Sequence, residues 1–129
     1  SGLLRRKRAS AMLHEYVSRE SYNDDHIMLI VGDWNDDLRD AENEHCFAPF
    51  LEDQRYKFAT FDIVNDLSQL TYPKAPYQSF LDHILFSSTS ISDYKVETVL
   101  IDKYMGGYDI YQAFISDHRP VMFTFNVKD

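Results

Sequence analysis

The chain has 129 residues, the length of one ordinary domain, and its 44% hydrophobic and 15% aromatic content is enough to bury a core rather than stay disordered. Thirteen basic residues against 21 acidic ones leave a formal charge of −8, which repels a polyanion at long range, so any contact with nucleic acid or phospholipid must rest on a local feature such as a divalent cation. The single cysteine, Cys46, excludes an intramolecular disulfide and says nothing about compartment, and no run approaches roughly 18 apolar residues, so no membrane span is expected.

In chain order, residues 4–19 read as a helix, because Ala9, Met12, Leu13, Tyr16 and Val17 recur at spacings of three and four and make one apolar stripe. Its start is basic, Arg5, Arg6, Lys7 and Arg8, where the helix dipole prefers acids, and a solvated or fraying start is expected. Residues 21–25 form a polar turn. The nearly unbroken apolar run of Ile27, Met28, Leu29, Ile30 and Val31 up to Gly32 predicts a strand buried on both faces. Asp36 or Asp37 then caps a short helix through about residue 44, and residues 48–53 form another helical turn with Pro49 near its start.

Residues 58–64 alternate loosely and read as β, while 68–79, with Pro73 and Pro76, read as a loop. Strands follow at 81–86, 95–101 and 120–127, the last with Val121, Phe123, Phe125 and Val127 on one face, and Gly106-Gly107 marks the turn before it. Residues 1–129 form a single unit without repeats, linkers or low-complexity tracts. Helix, strand, small helices and then strands suggest an α+β layered arrangement with a mainly antiparallel sheet. No secretory signal is visible; Ser1 in place of an initiating methionine fits a processed chain or a piece of a longer one.

Three acid-centred clusters stand beside apolar strands: Val31-Gly32-Asp33-Trp34-Asn35, Phe80-Leu81-Asp82-His83-Ile84-Leu85, and Ser116-Asp117-His118-Arg119-Pro120-Val121. On an extended chain Asp33 and Asn35 point to one side. Carboxylates suit hard divalent cations, a histidine backed by a carboxylate suits general base work, and a carboxamide donates to a phosphate oxygen. Together these are the ingredients of metal-assisted phosphate-ester hydrolysis. Alone, Gly-Asp-x-Asn is most often a turn and Asp-His a surface pair; three such clusters in this order are a much stronger signal. His14 reads as a packing or surface residue, and His26 or His45-Cys46 lacks the second pair that zinc requires.

These stretches resemble the three C-terminal motifs of the endonuclease/exonuclease/phosphatase superfamily, the deoxyribonuclease-I-like fold, and the amphipathic helix ahead of the first motif resembles the family too. The resemblance covers essentially the whole chain but only the second half of the family's fold. It implies the C-terminal half of a four-layer α/β/β/α sandwich, one mainly antiparallel sheet with flanking helices. It implies catalytic roles for Asp33, Asn35, Asp82 and His118, with Asp33 and Asp117 as ligands of Mg2+ or Mn2+ and Asp82 supporting His118.

It gives His83 no catalytic role, makes Arg119 and Pro120 an ion pair and a strand start, and sets Trp34 under the site. The implied activity is hydrolysis of phosphodiesters or phosphomonoesters, with nuclease first and inositol-phosphate phosphatase or sphingomyelinase-type hydrolase as alternatives. The family's first half supplies an asparagine, a glutamate and a further histidine that nothing before residue 33 matches. A missing N-terminal half or a complementary chain is therefore an expected partner, and the half alone is expected to bind metal weakly and catalyse poorly. A non-catalytic interaction module keeping the fold is the reading from a different class; the retained acids and histidine speak against it.

Overall fold

Long straight side chains with few β-branched residues open the chain and form its longest helix. A computed structural model describes residues 1–20, 26–89 and 91–129, so the turn expected at 21–25 lies outside the described residues. Helix α1 runs Gly2–Glu20 with no acid in its first turn. Two of the four basic residues at its start are nevertheless fastened, which corrects the expectation of a solvated start. Arg6 Nε and Nη2 donate to Asp36 Oδ2 and Oδ1 at 3.0 and 2.7 Å, and Lys7 Nζ donates to the Asn43 carbonyl at 2.8 Å.

Strand β1 follows at Leu29–Asp33, helix α2 at Ala48–Leu51 with a proline in its first turn, and strand β2 at Tyr56–Phe58. The stretch read as β from residue 58 thus starts earlier, and it gives way to a 3-10 helix at Ala59–Asp62. Strands β3 (Asp82–Ser87), β4 (Ile91–Thr98) and β5 (Val121–Val127) complete the strand set, with helix α3 at Tyr108–Phe114 between the last two. That helix is not apparent in the sequence, where Gly106 and Gly107 mark only a turn; both have positive φ, +88° and +101°. Asp36 and Asp37 cap no α-helix, and the segment expected to be helical holds only a 3-10 turn at Glu42–Glu44.

The chain is α+β and its strand pairings are antiparallel, in the orders β1-β3-β2 and β4-β5, so the described strands divide into two sheets rather than one. Phe86 of β3 joins them, its ring 5.0 Å from Tyr94 on β4 and 5.4 Å from Phe123 on β5. A second aromatic cluster lies under α2: Trp34 meets Phe47, Phe50 and Phe58 at 5.4 to 5.7 Å, largely edge to face, the arrangement aromatic quadrupoles favour. On β5, Val121, Phe123 and Phe125 pack on the core, but Val127 at the end is 57% exposed.

Two apolar expectations fail, each for its own physical reason. Leu29 and Val31 of β1 share one face, and that face is exposed, Val31 by 64%, instead of the strand being buried on both faces. On α1 the inward residues are Ser10, Leu13 and Val17 with Arg6 and His14 alongside, while Met12 and Tyr16 face outward at 65% and 59% exposure. An ion pair and a histidine contact, invisible to an apolar count, set the rotation of the helix. His14 Nε2 lies 2.8 Å from Asp53 Oδ2 and its ring sits edge-on to Phe50 and Tyr56.

Candidate active site

The β1/β3 register sets Asp33 directly opposite Asp82. Trp34 donates its N–H to the Leu81 carbonyl at 2.8 Å. The pair one step in, Asp33 and Asp82, is therefore of the non-hydrogen-bonded kind, in which side chains come closest. Like charges so placed repel, and a histidine supplies part of the relief. His118 Nδ1 lies 2.7 Å from Asp82 Oδ2, and one ligand-capable atom from each of Asp33, Asp82 and His118 falls within 4.8 Å of the others. With Nδ1 engaged by the carboxylate, Nε2 is the ring nitrogen left for chemistry.

Backbone geometry shapes the turn after β1. Gly32 has φ +151°, which side-chain-bearing residues rarely adopt, and Asn35 has φ +53°, a left-handed conformation that asparagine tolerates better than most. Asp33 Oδ1 closes the turn by accepting the Asn35 N–H at 2.7 Å. Beyond it, Asp36 holds Arg6 as described. Asp37 accepts from Arg39 and from the Phe80 N–H at 2.9 Å, which pins the loop just ahead of β3. Burial alone would raise the Asp37 carboxyl, but these hydrogen bonds outweigh it and hold the group below the ordinary carboxylate value.

The loop carrying Asp117 and His118 is fastened from three sides. Tyr108 and Tyr111 on α3 donate their hydroxyls to the Asp117 and His118 carbonyls at 2.7 and 2.8 Å. Burial, with Asp117 nearby, pushes the Tyr108 hydroxyl up to about 12, so it remains a donor at neutral pH. Arg119 Nε and Nη2 pair with Asp102 at 2.9 and 2.7 Å, Nη1 donates to the Leu70 carbonyl at 3.1 Å, and the Arg119 N–H donates to the Thr71 carbonyl at 2.7 Å. Arg119 thus makes the expected ion pair, and Pro120 immediately precedes β5.

Asn35, Asp117 and His118 line one cleft of about 360 Å3, together with Tyr72 and Tyr77. Asp117 is not a member of the tight Asp33, Asp82, His118 group, so the carboxylate brought closest to Asp33 within that group is Asp82. His83 is buried between Thr60 Oγ1 and the Asp36 carbonyl, both at 2.9 Å, and burial lowers its pKa, which keeps the ring neutral. Cys46 is buried near Asp36, and burial pushes its thiol up to about 12; such a group is neither a nucleophile nor a ready zinc ligand. Trp34 packs into the aromatic core rather than lining the Asp117 side of the cleft.

The supports that sequence reasoning missed are Thr71, Tyr108 and Tyr111, which act through backbone groups, and Tyr72 and Tyr77, which reach the cleft from a proline-flanked loop. Comparison with family models, curated proteins and solved structures returns no match to this chain.

Proposed function

We propose that this chain carries part of the active site of a divalent-metal-dependent phosphoesterase, a nuclease in first choice. We propose further that it is the C-terminal half of a four-layer α/β/β/α sandwich of the deoxyribonuclease-I-like kind. The observation that carries the reading is the 2.7 Å contact between His118 and Asp82, with Asp33 facing Asp82 across the strand pair.

In this assignment Asp82 fixes the His118 tautomer and stabilises its protonated form, so that Nε2 takes a proton from the attacking water or holds a phosphate oxygen. The Asn35 carboxamide donates to a phosphate oxygen from its fixed turn. Asp33 carries a carboxylate that has no cationic partner among the described residues. One or two carboxylate oxygens are what Mg2+ takes from a protein, so Asp33 fits a ligand role beside Asp82 and His118, while Asp117 lines the adjoining cleft with His118. When bound, Mg2+ or Mn2+ supplies charge neutralisation at the phosphate. The apolar face of β1, with Leu29 and Val31 exposed, is where the remaining half of the sandwich or a complementary chain packs its sheet and brings the remaining metal donors.

Single-turnover hydrolysis of a labelled oligonucleotide by the complete protein, in Mg2+ or Mn2+, tests the assignment. His118→Ala is expected to lose about 10²- to 10⁴-fold in rate, the usual contribution of a positioned general base. Near-normal hydrolysis in that variant would sink it.

A further inference from the structure

Large aromatic rings are costly to leave in water, and Tyr77 is 71% exposed at the rim of the cleft. Its loop is not loose. Tyr72 and Ser79 exchange backbone hydrogen bonds at 2.9 and 2.8 Å, the Tyr77 N–H donates to the Lys74 carbonyl at 3.0 Å, and Ser79 Oγ donates to the Tyr77 carbonyl at 2.7 Å. Arg39 Nη2 adds a bond to the Gln78 carbonyl at 3.1 Å, with its own guanidinium set by Asp37 and lying over the Phe80 ring. The ring is therefore presented on a fixed backbone, which cuts the ordering cost of anything that stacks on it.

Inward of it, the Tyr72 ring lies 6.5 Å from Tyr77 and 5.0 Å from His118. The two tyrosines thus form a short aromatic path from solvent to the histidine. Electrostatics narrows the choice of what it serves. With a formal charge of −8, the chain gains little from tracking a phosphate backbone. Stacking on a neutral π-face needs no positive charge and accepts any base. A base in a duplex is already stacked and must be extruded at a cost, whereas an unpaired base is available.

We propose that Tyr77 and Tyr72 form a stacking platform for an unpaired nucleobase beside the scissile phosphate, which makes single-stranded nucleic acid the substrate class. This rests on the phosphoesterase reading of Asp33, Asp82 and His118, and the two are separable by experiment. A short single strand carrying 2-aminopurine is titrated with the complete protein in Mg2+ at low salt, beside an abasic strand of the same length, and cleavage is followed on a gel in the same samples.

The expected result is quenching of 2-aminopurine and affinity about 5- to 150-fold above that for the abasic strand. Tyr77→Ala should abolish that advantage and Tyr77→Phe should keep it; both variants change one surface residue, and circular dichroism verifies the fold. Equal affinity for the two strands, no binding of either, or an advantage that survives in Tyr77→Ala overturns the platform. Base-dependent binding with no His118-dependent cleavage upholds the platform and refutes the phosphoesterase. Cleavage with equal affinities does the reverse.

Discussion

Thr71 shows how much of the site depends on one side chain that does no chemistry. It is fully buried, its Oγ1 accepts the N–H groups of Leu81 and Asp82 at 2.9 and 3.3 Å, and its carbonyl accepts the Arg119 N–H. One residue thereby ties the start of β3, which bears Asp82, to the loop that bears His118. Thr71→Val keeps the shape but leaves those two N–H groups without their acceptor. A lost acceptor costs about 1–3 kcal/mol, more than the roughly 0.8 kcal/mol an added buried methyl returns. Urea unfolding should show the variant destabilised, while Thr71→Ser, which keeps the acceptor, loses only about the 0.8 kcal/mol of its buried methyl; an unchanged midpoint in Thr71→Val would refute the role. Asp33, Asp82 and His118 were legible in the sequence because acids and a histidine stand at strand boundaries. Thr71 was not, because its partners are backbone groups and backbone partners leave no residue pattern.

At the scale of elements, α1 was legible as a helix but not in its rotation. The stripe of Ala9, Met12 and Tyr16 faces outward, and the inward face runs through Arg6, Ser10, Leu13 and Val17. Arg6 reaches Asp36 and His14 reaches Asp53, and these contacts outrank a narrow apolar count. One polar residue on that face has no such contact. Ser10 is buried along the groove between α1 and β1, and its Oγ has no partner among the described residues. An unbonded hydroxyl in an apolar setting is unfavourable, and alanine is the better helix former. Ser10→Ala should therefore stabilise the protein, by about 0.5–1 kcal/mol on helix propensity and the relieved hydroxyl together. Thermal and urea unfolding both measure it, and a loss of stability would mean that the hydroxyl has a partner after all. Helix α3 escaped the sequence reading because only seven residues follow two glycines, yet its tyrosines hold the loop that carries Asp117 and His118.

Across the whole molecule, carboxylates fasten the helical layer and the loops to the strands, and that makes stability depend on acid. The Arg55 guanidinium and then His14 hold the Asp53 carboxyl far below its ordinary value of 3.8, against the opposing effect of burial. The contact joins α1 to the turn before β2. Asp37, also lowered, joins the loop after β1 to the start of β3. For both groups the unfolded chain binds the proton more readily than the folded one. Above about pH 5 neither state is protonated and the contribution is whole; it is lost as pH falls through 3.8 toward the folded values. Urea midpoints taken from neutrality to about pH 2 should therefore decline first below about pH 6.5, where the unfolded chain protonates His83 more readily than the folded one, and then more steeply below about pH 5 as the two carboxylates lose their contribution. In Asp53→Asn the midpoint should be lower at neutral pH and the acid limb shallower, because one of the coupled protons is gone. If that variant instead runs parallel to the parent through the whole acid limb, Asp53 is not what couples the fold to pH, and the fastening of α1 must rest on Arg6 and the apolar contacts of Leu13 and Val17.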